Sequence, residues 1–485
     1  MQVMNGSELL VKAQECLQNP NPDKPFEDYE KAFHWFNILL NTSYAVKDEK
    51  ISQLYFLVGA TSLKRDHKIL AMLCFQKALE LDPNFLEAIN NLGYVHKKME
   101  QHDEAAFYFK KAIDIAEVAT NTQEDFIKMK ADYYANFGSM IIARGRAQEA
   151  LDIFNKGATY DPDHRLNKYN RSLAYLELGN YEDGFRDLDH GDRVDRVINR
   201  NYGQESLPFW DGTPGKRLVL IGEQGIGDEI MYCTLIKRLV KDCEIVIDAH
   251  PRLTNLFRRS FPDIDIYGTR KDESDAWGNR YQFDAKVLMG SLPKFYFKKK
   301  EDFDTMPYLE PDPVLVEKYR KMFEEMGDRP KIGISWKGGN HLTEMNNRFI
   351  PIDMFSTILK LPCDFISLQY DKNLEEYVGN FNKRHDVNLQ HWPEILADYD
   401  ETAALVKNLD FVISVPQSVV HLAGAMGTMC LQLTPFKAMW QMGVHGEDLP
   451  WYSTVASIWQ DASCDWKPVL KQVEDELCNL LPKNI

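Results

Sequence analysis

The sequence has 485 residues and a formal net charge of -16 at pH 7, and this length is enough for several domains. Hydrophobic residues make up 44% and charged residues 27%, which is the composition of an ordinary globular protein with a packed core. The negative charge disfavours a nucleic-acid backbone as partner, because neutralising phosphates requires a surplus of Lys and Arg.

The cysteines and the apolar segments exclude further classes of protein. Eight cysteines are scattered without a CxxC or CxxxC pair, so neither a zinc site nor a disulfide framework is indicated. The first residues are amphipathic, and no run approaches the roughly eighteen consecutive apolar residues of a membrane span. We therefore expect a cytoplasmic protein without a signal peptide, a membrane span or a metal site.

Three matched sets of residues recur in the first half of the chain. In each set an Ala follows a Gly by 12 residues and a Phe follows that Ala by 4. The sets are Gly59, Ala71 and Phe75, then Gly93, Ala105 and Phe109, then Gly138, Ala150 and Phe154. The first two glycines are 34 residues apart, which is the tetratricopeptide period. The next interval is 45 residues, which indicates an insertion near Glu117 to Lys128.

These repeats predict an α-solenoid over residues 1–190. The clear copies are 52–85, 86–116 and 131–164, and 165–190 is a degenerate fourth copy. Small residues at the Gly and Ala positions let the two helices of a repeat approach closely, and the Phe fills the gap to the next repeat. Tyr29 to Leu40, at helical spacing, indicates a further helix pair or a cap. Such an array binds a peptide or protein in its groove or acts as a rigid stand, and both interpretations stay open.

Strands and helices alternate after a polar linker at 191–215. In the segment 216–328 the predicted strands are Arg217 to Gly222, Glu244 to Asp248, Ile264 to Tyr267 and Ala285 to Leu288. In the segment 329–485 they are Ile332 to Trp336, Phe365 to Leu368, Val387 to Leu389, Phe411 to Val415 and Met429 to Leu433. Helices are predicted at Val314 to Met326 and Trp466 to Leu481. Two doubly wound, Rossmann-like domains would form a cleft between the carboxyl ends of their strands, where ligands bind.

The turn after the first of these strands carries Gly225, Gly227 and Asp228. Glycines at such a turn let the backbone bend tightly or approach a ligand closely. The helix that follows begins with free N–H groups. Asp228 is therefore either a cap of this helix or an acid available for chemistry, and the spacing alone does not decide between them.

Four motifs in succession resemble a known family. They are WDG followed by GKRLVLIGEQGIGDEI, IGISWKGGN with NNR behind it, FISLQ, and LDFVISVPQSVVHLAGAMGTMCLQL. The succession, which covers about Gly203 to Trp459, resembles the bacterial and viral proteins that join tetratricopeptide repeats to a GT-B glycosyltransferase domain. That domain is similar to the lipopolysaccharide heptosyltransferases, and the overall plan resembles that of protein O-GlcNAc transferases.

The resemblance implies a metal-independent, usually inverting transfer from a nucleotide-diphosphate sugar. It implies that the first α/β half holds the acceptor and the second half holds the nucleotide. Asp228 matches the acid that acts as general base in the heptosyltransferases, where it removes a proton from the attacking hydroxyl. Apart from the donor substrate, no cofactor is implied.

The donor side follows from the residue types at the strand ends. N–H groups near Ser418 would hold a diphosphate at a helix start. Lys337 and Arg348 would neutralise the leaving group, unless they are solvated surface residues. Gln369, with Ser367, is a candidate ribose or base contact, and His421 either contacts phosphate or is a buried core histidine. Gly225, Gly227 and Gln417 are the remaining candidate ligand contacts.

Two positions depart from the related sequences. Pro416-Gln417 stand where those sequences commonly carry an Asp-Thr pair, and Asn346-Asn347 precede Arg348 where an Asp is common. These changes leave the donor and the catalytic competence open. The leading hypothesis is a glycosyltransferase acting on a protein, peptide or glycan acceptor. The alternative is a scaffold whose α/β region binds a nucleotide sugar without turnover. An NAD-dependent enzyme is disfavoured, because the turn after Gly222 lacks the full GxGxxG order.

Overall fold

The computed structural model describes residues 34, 48–191, 195, 200–223, 225–270, 275–339, 345–371, 374–393, 395 and 398–480. The chain divides into two compact units, Met1–Arg171 and Ser172–Ile485. Apart from His34, the predicted cap at Tyr29 to Leu40 lies outside the described residues. Among the described residues, no helix combines the length and the apolar character needed to cross a bilayer.

The first unit is built from tetratricopeptide-like helical hairpins. Its helices are α1 Asp48–Lys64, α2 Lys68–Leu81, α3 Leu86–Lys98, α4 His102–Val118, α5 Glu124–Ile142 and α6 Ala147–Ala158, followed by α7 Arg165–Glu177, which extends into the second unit. Helices α1 and α2 pack together, as do α3 with α4 and α5 with α6.

Each hairpin closes on the contact between its repeated Gly and Phe. The three pairs are Gly59 with Phe75, Gly93 with Phe109, and Gly138 with Phe154. A Cβ on Gly59 would lie 2.7 Å from the Phe75 Cε1, so only glycine fits there. Phe75 also clusters with Leu92 and Val95 of the next hairpin. The ring therefore fills its own hairpin as well as the gap to the next one, whereas the sequence pattern predicted only the second contact.

The predicted insertion lengthens the helices on both sides of one connection. Helix α4 has 17 residues and α5 has 19, compared with 14 in α2 and 13 in α3. The residues between α4 and α5 are 119–123. The additional residues thus lie between two hairpins and leave the Gly–Phe contacts inside each hairpin unchanged.

The second unit contains two parallel β-sheets. The first has β1 Arg217–Ile221, β2 Glu244–Asp248, β3 Asp265–Tyr267 and β4 Ala285–Leu288 in the order β3-β2-β1-β4. The second has β5 Lys331–Ser335, β6 Asp364–Ser367, β7 Leu389–Gln390, β8 Phe411–Ser414, β9 Cys430–Thr434 and β10 Val455–Trp459 in the order β10-β9-β8-β5-β6-β7. All the pairings between these strands are parallel.

Helices flank and connect these strands. They are α8 Tyr181–Asp187, α9 Ile226–Tyr232, α10 Ile236–Asp242, α11 Thr254–Ser260, α12 Pro293–Tyr296, α13 Pro313–Glu325, α14 Leu374–His385, α15 Tyr399–Asn408, α16 Ser418–Met426 and α17 Lys467–Leu480. Strands β5 and β9 are buried along their whole length, as expected for strands covered on both faces, although each also buries polar residues such as Lys331 and Gln432. The predicted strands agree with β1 to β9 within one or two residues at each end.

In each sheet there is a point where the chain stops adding strands on one side and continues on the other. Three loops lie at these points. In the first sheet β2 and β3 lie on one side of β1, and β4 returns on its other side. In the second sheet the chain reverses between β5 and β8, which are neighbours. Parallel sheets bind ligands at the carboxyl ends of strands beside such a reversal. The loops after β1, β5 and β8 occupy these positions, and they carry most of the predicted site residues.

Candidate functional site

Asp228 lies in the first turn of α9, directly after the glycine turn that follows β1. Its Oδ2 accepts a hydrogen bond of 2.9 Å from the Gly225 N–H, so the carboxylate caps the helix by reaching back to its N-cap residue. The Gln441 amide lies close to this carboxyl group and lowers its pKa. A carboxylate offers about four acceptor positions, so capping leaves room for a further partner. Capping the helix is therefore compatible with the role of general base that the resemblance implies for Asp228.

The environment of Asp228 shifts its protonation. Burial raises the pKa of this carboxyl group. The hydrogen bonds and the nearby charges of Arg348 and Arg270 lower the pKa, but the effect of burial is larger. A carboxyl group with a raised pKa is a stronger proton acceptor than an exposed one. The Asp228 carboxylate therefore binds a proton more readily than an exposed aspartate does.

Helices α9 and α16 pack against each other at their first turns. A Cβ on Gly227 would lie 3.2 Å from the Ser418 Cα and 3.1 Å from the His421 Cδ2. The glycine turn of the first sheet thus directly contacts the helix start that follows β8 in the second sheet. The structure brings together Gly227, Asp228, Ser418 and His421, which are far apart in the sequence.

Arg348 belongs to the same cluster. It ends a short 3-10 turn after β5, is buried, and donates from Nη1 to the carbonyl of Pro416 at 3.2 Å. Its own carbonyl accepts from the Gly338 N–H at 3.0 Å. Arg348 therefore lies against the segment that leads into α16, within electrostatic reach of Asp228, and is not a solvated surface residue.

Lys337 and Gln369 occupy different surroundings. The Lys337 ammonium is about one-third exposed and forms an ion pair with Asp371 at 2.8 Å. Gln369 is buried, and its Oε1 accepts from the Ser335 hydroxyl at 2.9 Å and from the N–H groups of Trp336 at 3.2 Å and Lys337 at 2.9 Å. The Gln369 carbonyl thus fixes the backbone at the end of β5.

Gln417 and His421 also have partners inside the protein. Gln417 is the N-cap residue of α16, and its Nε2 donates to the Ser414 hydroxyl at 3.3 Å and also to Ser335. His421 is 5% exposed, and its Nδ1 lies 3.2 Å from the Tyr452 hydroxyl. Burial lowers the pKa of His421 to about 4. This histidine is consequently neutral at pH 7 and has the surroundings of a hydrogen-bonded core residue.

Glu229, Arg270 and Gln441, which lie around Asp228, were not predicted from the sequence. Glu229 and Arg270 form a buried ion pair beneath the glycine turn, and the His250 N–H donates to the Glu229 Oε2 at 2.8 Å. Burial raises the pKa of Glu229 to about 8, although Arg270 lowers it. The adjacent acids in GIGDE were the available signal for Glu229. Gln441 has no motif that would have indicated it.

Two tryptophans near the α/β strands have packing partners. Trp451 is 1% exposed and forms edge contacts with the rings of Phe303 at 4.8 Å and Tyr232 at 5.9 Å. Trp440 contacts the Phe185 ring edge to face at 5.6 Å. Both indole rings are part of the aromatic core of the second unit.

Comparisons with known proteins identify the repeats. A family model described as tetratricopeptide repeat matches residues 74–106. Protein FlbA of Caulobacter vibrioides is 26% identical over 455 residues, which cover 81% of this chain and 73% of FlbA. A protein of Porphyra purpurea, ycf37, is 32% identical over 80 residues, and that match covers 16% of this chain and 46% of ycf37.

Solved structures show only distant likeness. A variant of the O-GlcNAc transferase of Thermobaculum terrenum is 13% identical with a TM-score of 0.34, over 90% of this chain and 94% of that one. YrrB, a tetratricopeptide-repeat protein with an unusual peptide-binding site, is 20% identical with a TM-score of 0.28, over 40% of this chain and 95% of YrrB. These scores are too low to bear on activity or substrate.

Proposed function

We propose that the chain is a glycosyltransferase that moves a sugar from a nucleotide-diphosphate donor to an acceptor hydroxyl. The observation that carries the proposal is geometric: Gly227, the neighbour of Asp228, contacts the first turn of α16, and Arg348 donates to the Pro416 carbonyl in the segment that leads into this helix. A base and a cation for the leaving group thus lie on loops that meet where the strand order of each parallel sheet reverses. We assign the two sheets to the halves of a GT-B fold, residues 216–328 and 329–485.

The donor diphosphate would bind at the start of α16. This helix has nine residues, and its first N–H groups together with Arg348 offer donors and positive charge to a phosphate. Gly338 lies directly under the Pro416 carbonyl, so the backbone after β5 closely approaches the segment before α16. Because Arg348 supplies the charge, stabilising the leaving diphosphate in this proposal does not depend on a metal ion.

The reaction would be a single displacement. The acceptor oxygen forms a bond to the anomeric carbon while the bond from that carbon to the diphosphate oxygen breaks. Asp228 takes the proton of the acceptor hydroxyl, and the diphosphate leaves with the electron pair of the broken bond, stabilised by Arg348 and α16. Attack opposite to the leaving group inverts the anomeric configuration. His421, which is neutral in its buried position, would not contribute a positive charge to the reaction.

The acceptor in this proposal is a protein or peptide that the first unit binds. Arrays of tetratricopeptide-like hairpins present extended surfaces suited to polypeptides. A glycan acceptor is the competing possibility, and a comparison of full-length protein with glycan and peptide acceptors separates the two.

The experiment is a thermal-shift series with UDP, GDP, ADP, CMP and dTDP sugars, applied to the wild type and to the Asp228→Asn and Arg348→Ala variants. We expect one donor class to raise the melting temperature of the wild type and of Asp228→Asn, and to lose this effect in Arg348→Ala. Turnover of that donor should fall by about 100-fold or more in Asp228→Asn. Circular dichroism of each variant without ligand controls for misfolding.

The outcomes separate the two functional classes. Donor stabilisation without turnover in the wild type would favour the binding-protein alternative. If none of the donors stabilises the wild type, the proposed nucleotide-sugar function is wrong.

A further inference from the structure

Gln441 approaches Asp228 from the opposite half of the second unit. It lies in a short 3-10 turn, Trp440–Met442, that follows β9. Its amide lies close to the Asp228 carboxyl group and lowers the pKa of that group. Since an amide donates to a carboxylate only through its nitrogen, the Gln441 Nε2 is the atom engaged.

The other end of the same side chain lacks a partner. The Gln441 Oε1 is buried, and within the described part of the chain it accepts no hydrogen bond. A buried acceptor left unsatisfied costs about 1–3 kcal/mol, so a bound group that donates a hydrogen bond to this oxygen would remove that cost. A carbonyl oxygen on the same amide as the Nε2 that contacts the general base is well placed to accept from a bound substrate.

Aromatic contacts fix the turn that carries Gln441. Trp440 packs edge to face on Phe185 of α8, with ring centroids 5.6 Å apart, and Phe185 also contacts Phe297 at 6.1 Å. Tyr181, one turn earlier in α8, contacts Phe303 at 4.9 Å. Helix α8 belongs to the degenerate fourth repeat copy, so this copy is joined to the site by a continuous set of packed rings.

The same loop is held at a second point. A Cβ on Gly179 would lie 3.3 Å from the Val444 Cγ2, and Glu447 forms an ion pair with Lys300. Gly179 has a φ of 74°, which favours glycine. The loop is therefore clamped between the end of the repeats and the segment that contains Phe297 and Phe303.

We propose that Gln441 is a positioning residue of the transferase. Its Nε2 orients the Asp228 carboxylate, and its Oε1 accepts a hydrogen bond from a second hydroxyl or N–H of the bound acceptor, next to the hydroxyl that Asp228 deprotonates. Trp440 and Phe185 hold Gln441 in this position. The inference rests on the proposed function and adds a residue and a substrate contact to the same site.

The test compares Gln441→Met with the wild type in donor turnover, either as transfer or as hydrolysis with water as acceptor. Replacing the amide, which lowers the pKa of Asp228, should raise that pKa, so the acidic limb of the kcat/KM profile should move to higher pH. We expect kcat to fall by up to about 100-fold, because the base is less well positioned. Stabilisation by the donor nucleotide should match that of the wild type, since Gln441 contacts the base and not the phosphate site.

A matched control is Gln432→Met. Gln432 is a buried glutamine in β9. Like Gln441, it has an Oε1 that lacks a partner among the described residues. Its Nε2, however, donates to Thr434 at 2.9 Å. This variant should lose stability without moving the acidic limb. Phe185→Leu, which loosens the turn without changing Gln441, should shift the limb in the same direction as Gln441→Met but less.

The results distinguish this inference from the proposed function. An active wild type whose kcat, KM and pH profile are unchanged in Gln441→Met overturns the role of Gln441 and leaves the transferase proposal intact. If the wild type has no turnover, the transferase proposal fails. NMR of 13C-labelled aspartate, assigned with Asp228→Asn, then still tests the contact, and an Asp228 pKa that is equal in wild type and Gln441→Met would contradict it.

Discussion

Gly227 and Ser418 touch through their backbones: a Cβ on Gly227 would lie 3.2 Å from the Ser418 Cα. This contact joins the turn after β1 to the first turn of α16, and it therefore sets how far Asp228 lies from the N–H groups at the start of that helix. In the proposed reaction these are the base and the phosphate site. Because Gly227 has no side chain, the proposed base and the proposed phosphate site can lie close together.

Replacing Gly227 with alanine should push α9 and α16 apart. The new methyl group would lie 3.1 Å from the His421 Cδ2, and overpacking of this kind costs about 1–3 kcal/mol. We expect a lower melting temperature and weaker stabilisation by the donor nucleotide. Gly379→Ala is the control, because a Cβ at that position in α14 meets nothing within 4 Å and alanine favours a helix interior over glycine. A Gly227→Ala variant as stable as the wild type would contradict the close contact.

Phe109→Ala should strongly destabilise the first unit. The ring is fully buried and fills the space above Gly93, so its removal should cost about 3–5 kcal/mol of unfolding free energy. Phe107→Ala is a control in the same helix, because that ring is 63% exposed, and it should change stability by about 0.5 kcal/mol or less. Chemical denaturation followed by circular dichroism measures both values. Equal effects of the two variants would show that the hairpin does not depend on the Gly–Phe contact.

His421 should resist protonation down to about pH 4. Because the folded-state pKa lies below the ordinary value, its contribution to stability is present above about pH 6.5 and is lost as the pH falls towards 4. The loss is on the order of 3 kcal/mol. Histidine NMR, assigned with His421→Gln, should show one imidazole that does not titrate between pH 7 and 5. A normal titration near pH 6.5 would mean that the ring is accessible to water.

Gln369→Ala should lower stability whether or not a nucleotide is present. Without the side-chain carbonyl, the N–H groups of Trp336 and Lys337 lose their acceptor, and each buried unsatisfied group costs about 1–3 kcal/mol. Gln369→Glu keeps an acceptor at this position and should recover most of the loss, as measured by melting temperature. If Gln369→Ala melts like the wild type but no longer responds to the nucleotide, the residue is a ligand contact and not a backbone clamp.

Lys337→Ala should leave the ligand-free protein almost unchanged. Its ion pair with Asp371 is partly exposed, and such pairs contribute about 0–1 kcal/mol. If Lys337 neutralises the donor, as predicted from the sequence, the variant will show a reduced thermal shift with the nucleotide. Asp371→Ala, which removes the same ion pair but keeps the cation, is the matched control. A full thermal shift in Lys337→Ala would exclude Lys337 from the donor site.

The sequence predicted most of the fold because the determinants are local. Strand β1 contains a continuous apolar segment that is buried from Leu218 to Ile221, as expected in a parallel sheet, and the repeats are recognised by the spacing of Gly, Ala and Phe. Strand β10 was missed. It lies at the edge of its sheet, where Ala456 is exposed and the apolar run is interrupted.

The composition of the site was harder to predict, because it depends on contacts between residues that are distant in the sequence. Asp228, Gly227 and Ser418 lie in motifs at strand ends, where topology brings residues together. Whether a polar side chain such as Gln369 turns towards a ligand or satisfies the backbone depends on tertiary contacts that no spacing encodes. The residues Arg270 and Gln441 come close to Asp228 only through the folding of distant loops.

The contact between each Gly and its Phe implies that the length of a hairpin and the distance between hairpins are specified separately. In all three copies the two residues are 16 positions apart, whereas the residues added between Gly93 and Gly138 lie around the connection 119–123. Chain length can therefore change at the junctions of the array without altering the geometry of any module. Insertions or foreign sequences engineered at 119–123 should be tolerated, and the same number of residues placed between Gly93 and Phe109 should not.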